Sequence, residues 1–188
     1  MKNSYVMQKL DDMGACSEGR DWAEENGGNL YDLWDACPRG DWMAWYIGED
    51  RRLRKTPELL KALIDVAEYT LKKAGKESVN REIYKSILNE VKLKAYHGAD
   101  NDETIEELEE ELRQRRPYDG SLERLFTELA DAVDSPMGAY AVPDHAADAV
   151  DSVKGGDRDK ALKHFAKIFR KYFRVGLRGL TTVKVDNG

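Results

Sequence analysis

The chain has 188 residues, of which 35% are charged and 41% hydrophobic, and its formal net charge is −6. This length suggests one domain, since domains usually contain about 100–200 residues. The longest stretch without a charged residue, 135–143, is far shorter than the roughly 18 apolar residues that suggest a membrane span. Residues 1–12 lack the apolar core of a secretory signal. We therefore expect a cytoplasmic protein that does not bind membranes.

Helical periodicity and helix-ending residues recur along nearly the whole chain. Helices are predicted, in chain order, over about 4–12, 17–26, 29–36, 41–48, 57–74, 78–97, 102–116, 121–134, 144–154 and 157–173. Residues 135–143 are expected to form a loop, and 175–188 are the only β-like stretch, predicted as a short strand or a tail.

Short connections between so many helices predict an all-α fold, a compact bundle of about eight to ten helices. The predicted single domain, 1–188, comprises a Trp-rich helical subregion (1–50), a helical bundle (51–174) and the tail (175–188). Within the bundle, Val79 is expected to be buried together with Ile83, Ile87 and Val91 at helical spacing.

Cys16 and Cys37 are the only two cysteines. In a reducing compartment a structural disulfide is not expected, so both thiols are predicted to be small buried apolar side chains. Together with His97 and His145 they could supply four zinc ligands, but their spacing matches no zinc signature. The sequence therefore predicts no metal site.

The charges are arranged in blocks along the chain. Residues 1–50 carry a net charge of −7, residues 51–95 carry +6, residues 96–150 carry −11 and residues 151–188 carry +6. Complementary blocks of this kind are compatible with a homodimer, because oppositely charged surfaces can meet across an interface.

The final predicted helix is aromatic on one face and basic on the other. Such a helix is suited to bind nucleic acid, an anionic membrane surface or an acidic protein, although a terminal helix with its cations in water has the same pattern. Its candidate partner-binding residues are Lys163, Lys167, Arg170, Lys171 and Arg174.

The helix predicted over 102–116 is rich in glutamate and has only a thin apolar stripe, so we expect it to lie on the surface. A row of surface carboxylates can imitate the phosphates of DNA, and a solvated, ion-paired face has the same appearance. The candidate partner-binding carboxylates are Glu106, Glu107, Glu110 and Glu111.

No catalytic constellation is recognisable in the sequence. It contains no GxSxG, HExxH, Walker or GxGxxG motif. Asp144, His145 and Asp148 could form a carboxylate–histidine cluster, but acidic residues at a helix start are more simply explained by the helix dipole. The sequence therefore predicts neither an enzyme nor a cofactor.

All four tryptophans fall between positions 22 and 45, in short helices that need large aromatic contacts to be stable. Arg39 and Asp41 are expected to fix the turn between two of these helices by capping and ion pairing. We interpret the segment as structural core; the alternative is an aromatic anchor site for a partner, where Trp, Tyr and Arg are enriched. The residues of this motif are Cys16, Trp22, Trp34, Cys37, Arg39, Asp41, Trp42 and Trp45.

Two stretches of this segment, GACSEGRDW and WDACPRGDWMAW, resemble a pattern in small all-helical proteins of phages and bacteria, GAC-x-E-x-x-x-W followed by W-x-x-C-x-RGDW-x-x-W. Some of those proteins are described as immunity proteins of polymorphic toxin systems. The resemblance is specific over about 14–47, while the charged helices of the middle of the chain depart from the pattern. It implies an all-α fold and a neutralising role, and it supplies no catalytic residue.

These observations favour a small cytosolic protein of phage or mobile-element origin that binds and inhibits another protein. It would act on a host defence complex, for example as an anti-CRISPR-like protein, or on a toxin as an immunity protein. The alternatives are nucleic-acid binding through the basic final helix and DNA mimicry through the acidic helix.

Overall fold

The computed structural model describes residues 4–76, 78–115, 120–135 and 138–180, apart from the side chains at positions 4, 134 and 174–180. Within these ranges the fold is all-α, with ten helices and no strand. In chain order the helices are α1 (Ser4–Asp12), α2 (Ser17–Asn26), α3 (Leu30–Ala36), α4 (Gly40–Glu49), α5 (Pro57–Lys73), α6 (Arg81–His97), α7 (Asp102–Gln114), α8 (Ser121–Asp134), α9 (Ala141–Asp151) and α10 (Arg158–Leu180).

Local sequence signals account for several helix ends. Asn29 and Asp32 form a reciprocal capping box at the start of α3, in which each side chain accepts from the other residue's backbone N–H. Pro57 occupies the first position of α5, where its missing N–H is not needed. Gly98 follows α6 in the left-handed conformation, with a φ of 64°, that favours glycine.

Helices α5, α9 and α10 form the centre of the bundle. Helix α5 packs against α6, α8, α9 and α10, while α10 also contacts α3, α4 and α9. The principal core runs from α3 to α10 and includes Tyr84 stacked on Phe126, with ring centroids 4.7 Å apart. A second, smaller core of Val6, Ala23 and Leu33 joins α1, α2 and α3. None of the described helices is both long and apolar enough to cross a membrane.

Helices α4 and α10 lie close together at Gly40. A Cβ atom at this position would lie 2.5 Å from the Cβ of Phe165 and 2.9 Å from the backbone nitrogen of Ala166. Because real Cβ contacts are not this short, only glycine permits the approach. The glycine of the Arg39-Gly40-Asp41 sequence therefore sets the packing of the Trp-rich subregion against the final helix.

The structure corrects two expectations about the bundle. Val79 was expected in the core, but 63% of its surface is exposed because α6 begins only at Arg81. The loop expected over 135–143 is shorter, since α9 begins at Ala141 and includes Pro143. Proline is compatible with the first turn of a helix, so it did not prevent this earlier start.

Two helix ends also differ from expectation. Helix α10 continues through Leu180, so the strand or tail expected from position 175 is wrong for residues 175–180. The remainder of that expected tail, 181–188, lies outside the described residues. Helix α7 ends at Gln114 rather than Arg116, and residues 116–119 also lie outside them.

Candidate functional site

A cleft of about 570 Å³ opens among helices α1 to α4 and the start of α9. All eight residues of the predicted tryptophan motif line it, so sequence positions as far apart as 16 and 45 contribute to one surface. We call this site the tryptophan cleft. The residues that line it are Leu10, Gly14, Ala15, Cys16, Glu18, Gly19, Trp22, Ala23, Leu30, Leu33, Trp34, Cys37, Arg39, Asp41, Trp42, Met43, Trp45, Tyr46, Glu49, Tyr140 and Asp144.

The four tryptophans differ in how deeply they lie. Trp34 is 5% exposed and packs edge-on against Tyr46, with ring centroids 6.2 Å apart. Trp22, Trp42 and Trp45 are only partly buried, and Trp22 lies 6.0 Å from Trp42 at a tilted angle. One tryptophan is therefore core, as expected, whereas the other three combine core packing with an exposed surface in the cleft.

A buried polar group without a partner lies in the wall of the cleft. The indole N–H of Trp34 is inaccessible to solvent and donates to no acceptor among the described residues. A buried donor of this kind loses its hydrogen bond to water without replacing it, which costs about 1–3 kcal/mol. The wall of the cleft therefore holds one unsatisfied donor beneath its surface.

Arg39 is fixed on one side of the cleft by three interactions. Its Nε and Nη2 donate to the carboxylate of Asp41 over 2.9 and 2.5 Å, and Nη1 lies 3.4 Å from Glu18. The guanidinium also stacks over the ring of Trp42, 4.7 Å from its centroid. The hydrogen bond to Asp41 is the main cause that raises the pKa of Arg39, so this cation is permanent. The expected ion pair between Arg39 and Asp41 is thus present.

The two cysteines lie in different environments. Cys37 is buried, its Sγ donates to the carbonyl oxygen of Arg39 over 3.4 Å, and burial raises its pKa to about 11. Cys16 was expected to be buried but is exposed, because it is the N-cap of α2 and accepts from the N–H of Gly19. Ser17 is the first residue of that helix.

Among the described residues, one group of three potential metal ligands lies within 4.8 Å, namely Asp144, His145 and Asp148. Arg158 forms ion pairs with both of these aspartates, so its guanidinium already supplies their counter-charge. The cluster is therefore explained by the junction of α9 and α10. The four possible zinc ligands Cys16, Cys37, His97 and His145 do not form such a group within the described part of the chain.

The edge of the tryptophan cleft is mainly acidic. Its lining includes the carboxylates of Glu18, Asp41, Glu49 and Asp144 but one cation, Arg39. Asp41 is neutralised by Arg39 and Asp144 by Arg158, whereas Glu18 contacts Arg39 only at 3.4 Å and Glu49 is exposed. The cleft is therefore apolar inside and negatively charged at its edge.

Some of the basic residues of α10 are bonded to other helices, and others are exposed to solvent. Arg170 donates to the carbonyl oxygens of Trp34 and Cys37 over 3.3 and 2.8 Å. Lys171 pairs with Asp65, and its hydrogen bonds to Tyr172 and Asp65 raise its pKa. Lys163 and Lys167 are exposed on α10, and the side chain of Arg174 lies outside the described residues. Arg170 and Lys171 thus contribute to the fold itself.

The acidic helix α7 shows a similar division. Glu110 accepts hydrogen bonds from Arg113 and Gln114, and Glu111 forms an ion pair with Arg115. Glu106 and Glu107 are exposed. The helix was expected to lie on the surface, but its Glu109 is buried.

Glu109 is the residue on this helix that the sequence analysis missed. It is 6% exposed and shares one face of α7 with Ile105 and Leu112. Burial, followed by the charge of Asp131, raises its pKa to about 7. The spacing of positions 105, 109 and 112 is helical and could have indicated that position 109 faces the bundle.

No family model matches this chain, and neither a curated protein nor a solved structure shows significant similarity to it.

Proposed function

We propose that this protein is a small cytosolic inhibitor that binds another protein through the tryptophan cleft. We further propose an origin in a phage or other mobile element, with a role as an immunity protein or as an antagonist of host defence. The observation that carries the binding proposal is the cleft itself, in which Trp22, Trp42 and Trp45 expose part of their surface around about 570 Å³ of space.

The size and the walls of the cleft favour the side chains of a protein segment. Binding clefts usually have volumes of about 300–1,000 Å³ and largely apolar walls. Exposed tryptophan is enriched at the energetic centres of protein interfaces, because a large rigid ring is desolvated there at little entropic cost.

The negative charge at the edge of the tryptophan cleft favours a positively charged partner. Glu18 and Glu49 lie beside the apolar walls, and residues 1–50 carry a net charge of −7. Complementary charge speeds association and selects among partners. We therefore assign to the cleft a segment that carries one or two bulky apolar side chains flanked by lysine or arginine.

The two alternative functions have less support from the described side chains. For nucleic-acid binding, Arg170 is engaged within the fold and the exposed Lys171 is paired with Asp65, whereas Lys163 and Lys167 are exposed. For DNA mimicry, Glu110 and Glu111 are paired with neighbours on their own helix. Either surface has fewer free charges than the sequence suggested.

The experiment is a binding titration with tryptophan emission as the signal. A partner is first isolated by affinity purification from the host bacterium at low salt, and it is then purified. If that partner lacks tryptophan in its binding segment, the change in emission reports on the cleft alone, because all four tryptophans line the cleft. We expect saturable binding with a shift of the emission, together with loss of the partner's own activity.

Variants decide whether the cleft is the interface. We expect Trp42→Ala or Trp45→Ala to weaken binding by about 2 kcal/mol, which is the scale of an interface hot spot. The charge reversals Glu18→Lys and Glu49→Lys test the edge without removing core contacts. Tyr96→Ala is the matched control, since Tyr96 is an exposed aromatic residue on α6 outside the cleft. Equal binding by the cleft variants and the control would refute the proposal.

A further inference from the structure

A second cleft, of about 340 Å³, lies between α7, α8 and the residues that follow α8. We call it the acidic cleft. It lies apart from the tryptophan cleft, with which it shares no lining residue. The residues that line it are Asp102, Ile105, Glu106, Glu109, Glu128, Ala130, Asp131, Val133, Ser135 and Gly138.

Five of these ten lining residues are carboxylates, and no lysine, arginine or histidine is among the described residues that line the cleft. Asp102 is paired with Lys94 at the start of α7. The others come from both walls, Glu106 and Glu109 from α7 and Glu128 and Asp131 from α8. Negative charge is therefore concentrated in a concave space, where low-dielectric walls strengthen its attraction for a cation.

The burial of Glu109 is a second, independent observation that points to a bound cation. Its side chain is more than nine-tenths buried, and Oε1 is inaccessible to solvent and accepts no hydrogen bond among the described residues. Oε2 lies 3.4 Å from Nη2 of Arg113, a long contact with a side chain that is half exposed. A buried carboxylate oxygen without a donor is unfavourable, and a bound donor with positive charge would relieve it.

The distribution of the carboxylates indicates the shape of the cation. A metal ion needs several oxygen atoms converging on one point, but no three carboxylates of this cleft lie within 4.8 Å of one another. Instead they come from both walls of the cleft, and the apolar residues Ile105, Ala130 and Val133 also line it. A lining that combines separate carboxylates with apolar side chains suits a linear molecule in which ammonium groups are joined by methylene segments.

We propose that the acidic cleft binds an aliphatic di- or polyamine, with one ammonium group donating to Glu109 and another to the carboxylates of Glu128 and Asp131. The methylene segments would pack on Ile105 and Val133. This inference does not rest on the proposed function, because the two sites are separate.

The test is isothermal titration of the full chain with putrescine, spermidine and Mg²⁺ at pH 8 and low ionic strength, where Glu109, with a pKa of about 7, is mostly ionised. We expect saturable binding of spermidine with one molecule per chain. Putrescine and Mg²⁺ carry the same charge, so we expect putrescine to bind at least about ten-fold more tightly if shape as well as charge is recognised. Tryptophan emission should stay unchanged, which separates this result from binding at the tryptophan cleft.

Variants locate the site. Glu109→Gln and Asp131→Asn should each weaken spermidine binding by about ten-fold, because each removes a charge from the cleft. Glu107→Gln is the matched control, since it removes the same charge from the exposed side of α7. Asp131 is exposed, so its variant remains informative if Glu109→Gln fails to fold.

Three outcomes would overturn the proposal. The first is the absence of saturable binding by spermidine. The second is binding of Mg²⁺ as tight as that of putrescine, which would show attraction by net charge alone. The third is an equal loss in Glu107→Gln and Asp131→Asn.

Discussion

The guanidinium of Arg170 donates a 2.8 Å hydrogen bond to the carbonyl oxygen of Cys37, at the C-terminal end of α3. A second, 3.3 Å bond reaches the carbonyl oxygen of Trp34. The last helix thereby satisfies carbonyl groups that α3 cannot satisfy itself, and a cation at this helix end also suits the helix dipole. The wall of the tryptophan cleft is thus held from the opposite end of the chain.

We expect Arg170→Leu to lower the free energy of unfolding by about 2–3 kcal/mol, because hydrogen bonds to a charged group contribute about 1.5–3 kcal/mol. Urea denaturation measures the change. Lys167→Leu on the same helix is the control, since Lys167 is exposed, and it should change stability by less than about 0.5 kcal/mol. Equal stabilities of the two variants would contradict the structural role of Arg170.

Two glycine substitutions should have opposite effects. Gly40→Ala places a Cβ atom 2.5 Å from that of Phe165, so we expect a loss of about 2 kcal/mol or more as α4 and α10 separate. Gly19 lies in α2, and a Cβ atom there would meet only Cys16 and Trp42, at ordinary distances of 3.4 Å or beyond. There alanine should raise stability by up to about 1 kcal/mol through its higher helix propensity. Thermal unfolding of both variants checks the pair, and a stable Gly40→Ala protein would refute the close approach.

The stability of the protein should depend on the protonation of Glu109. Its pKa of about 7 in the folded chain exceeds the ordinary value of 4.5, so the folded state favours the protonated form. The stability from this group is therefore complete below about pH 4.5 and is lost as the pH rises through 7. The charges that face it are Asp131 and Glu106, which raise this pKa, and Arg113, which lowers it.

Glu109→Gln should accordingly remove this dependence. Relative to the unsubstituted chain, we expect the variant to be more stable by on the order of 3 kcal/mol at pH 8 and about equally stable near pH 4.5, since one pKa unit corresponds to about 1.4 kcal/mol. Urea denaturation across this range measures the difference. Glu107→Gln should show no such pH-dependent gain, and a gain of equal size there would contradict the burial of Glu109.

The two thiols should react at very different rates. Cys16 is exposed, whereas Cys37 is buried and its pKa is raised to about 11, so little of it is thiolate near neutral pH. With a disulfide reagent at pH 8 we expect one rapidly modified thiol and a second that reacts only on unfolding. Cys16→Ser should abolish the rapid phase. A rapid phase that persists in Cys16→Ser would contradict the burial of Cys37.

Much of the fold could be predicted from the sequence, because it rests on local patterns. The helical class, the bounds of α1 and the starts of α3 and α5 follow from periodicity, capping residues and proline. Val79 was misplaced because an apolar residue just before a helix has the same spacing as one inside it. The early start of α9 was missed because residues 135–143 were predicted as one loop, although the first turn of a helix tolerates Pro143.

The candidate sites were less predictable, because they depend on the spaces between helices. The sequence grouped the eight residues of the tryptophan motif, but no periodicity shows whether their rings meet or leave a cleft. Arg170 was predicted to lie on the basic face of the final helix. Its hydrogen bond to the carbonyl oxygen of Cys37, 133 positions away, leaves no signal in the local sequence. Glu109 did have such a signal in its spacing from Ile105 and Leu112.

The contact between Gly40 and Phe165 also bears on how the chain folds during synthesis. More than one hundred residues separate these two positions, so the ribosome releases the Trp-rich subregion long before α10 exists. Until then α4 lacks the surface against which Gly40 packs, and the carbonyl of Cys37 lacks Arg170. Loop closure over such a distance is slow. Nascent chains that end before position 158 would therefore leave α4 uncovered at Gly40 and the carbonyl group of Cys37 without its donor.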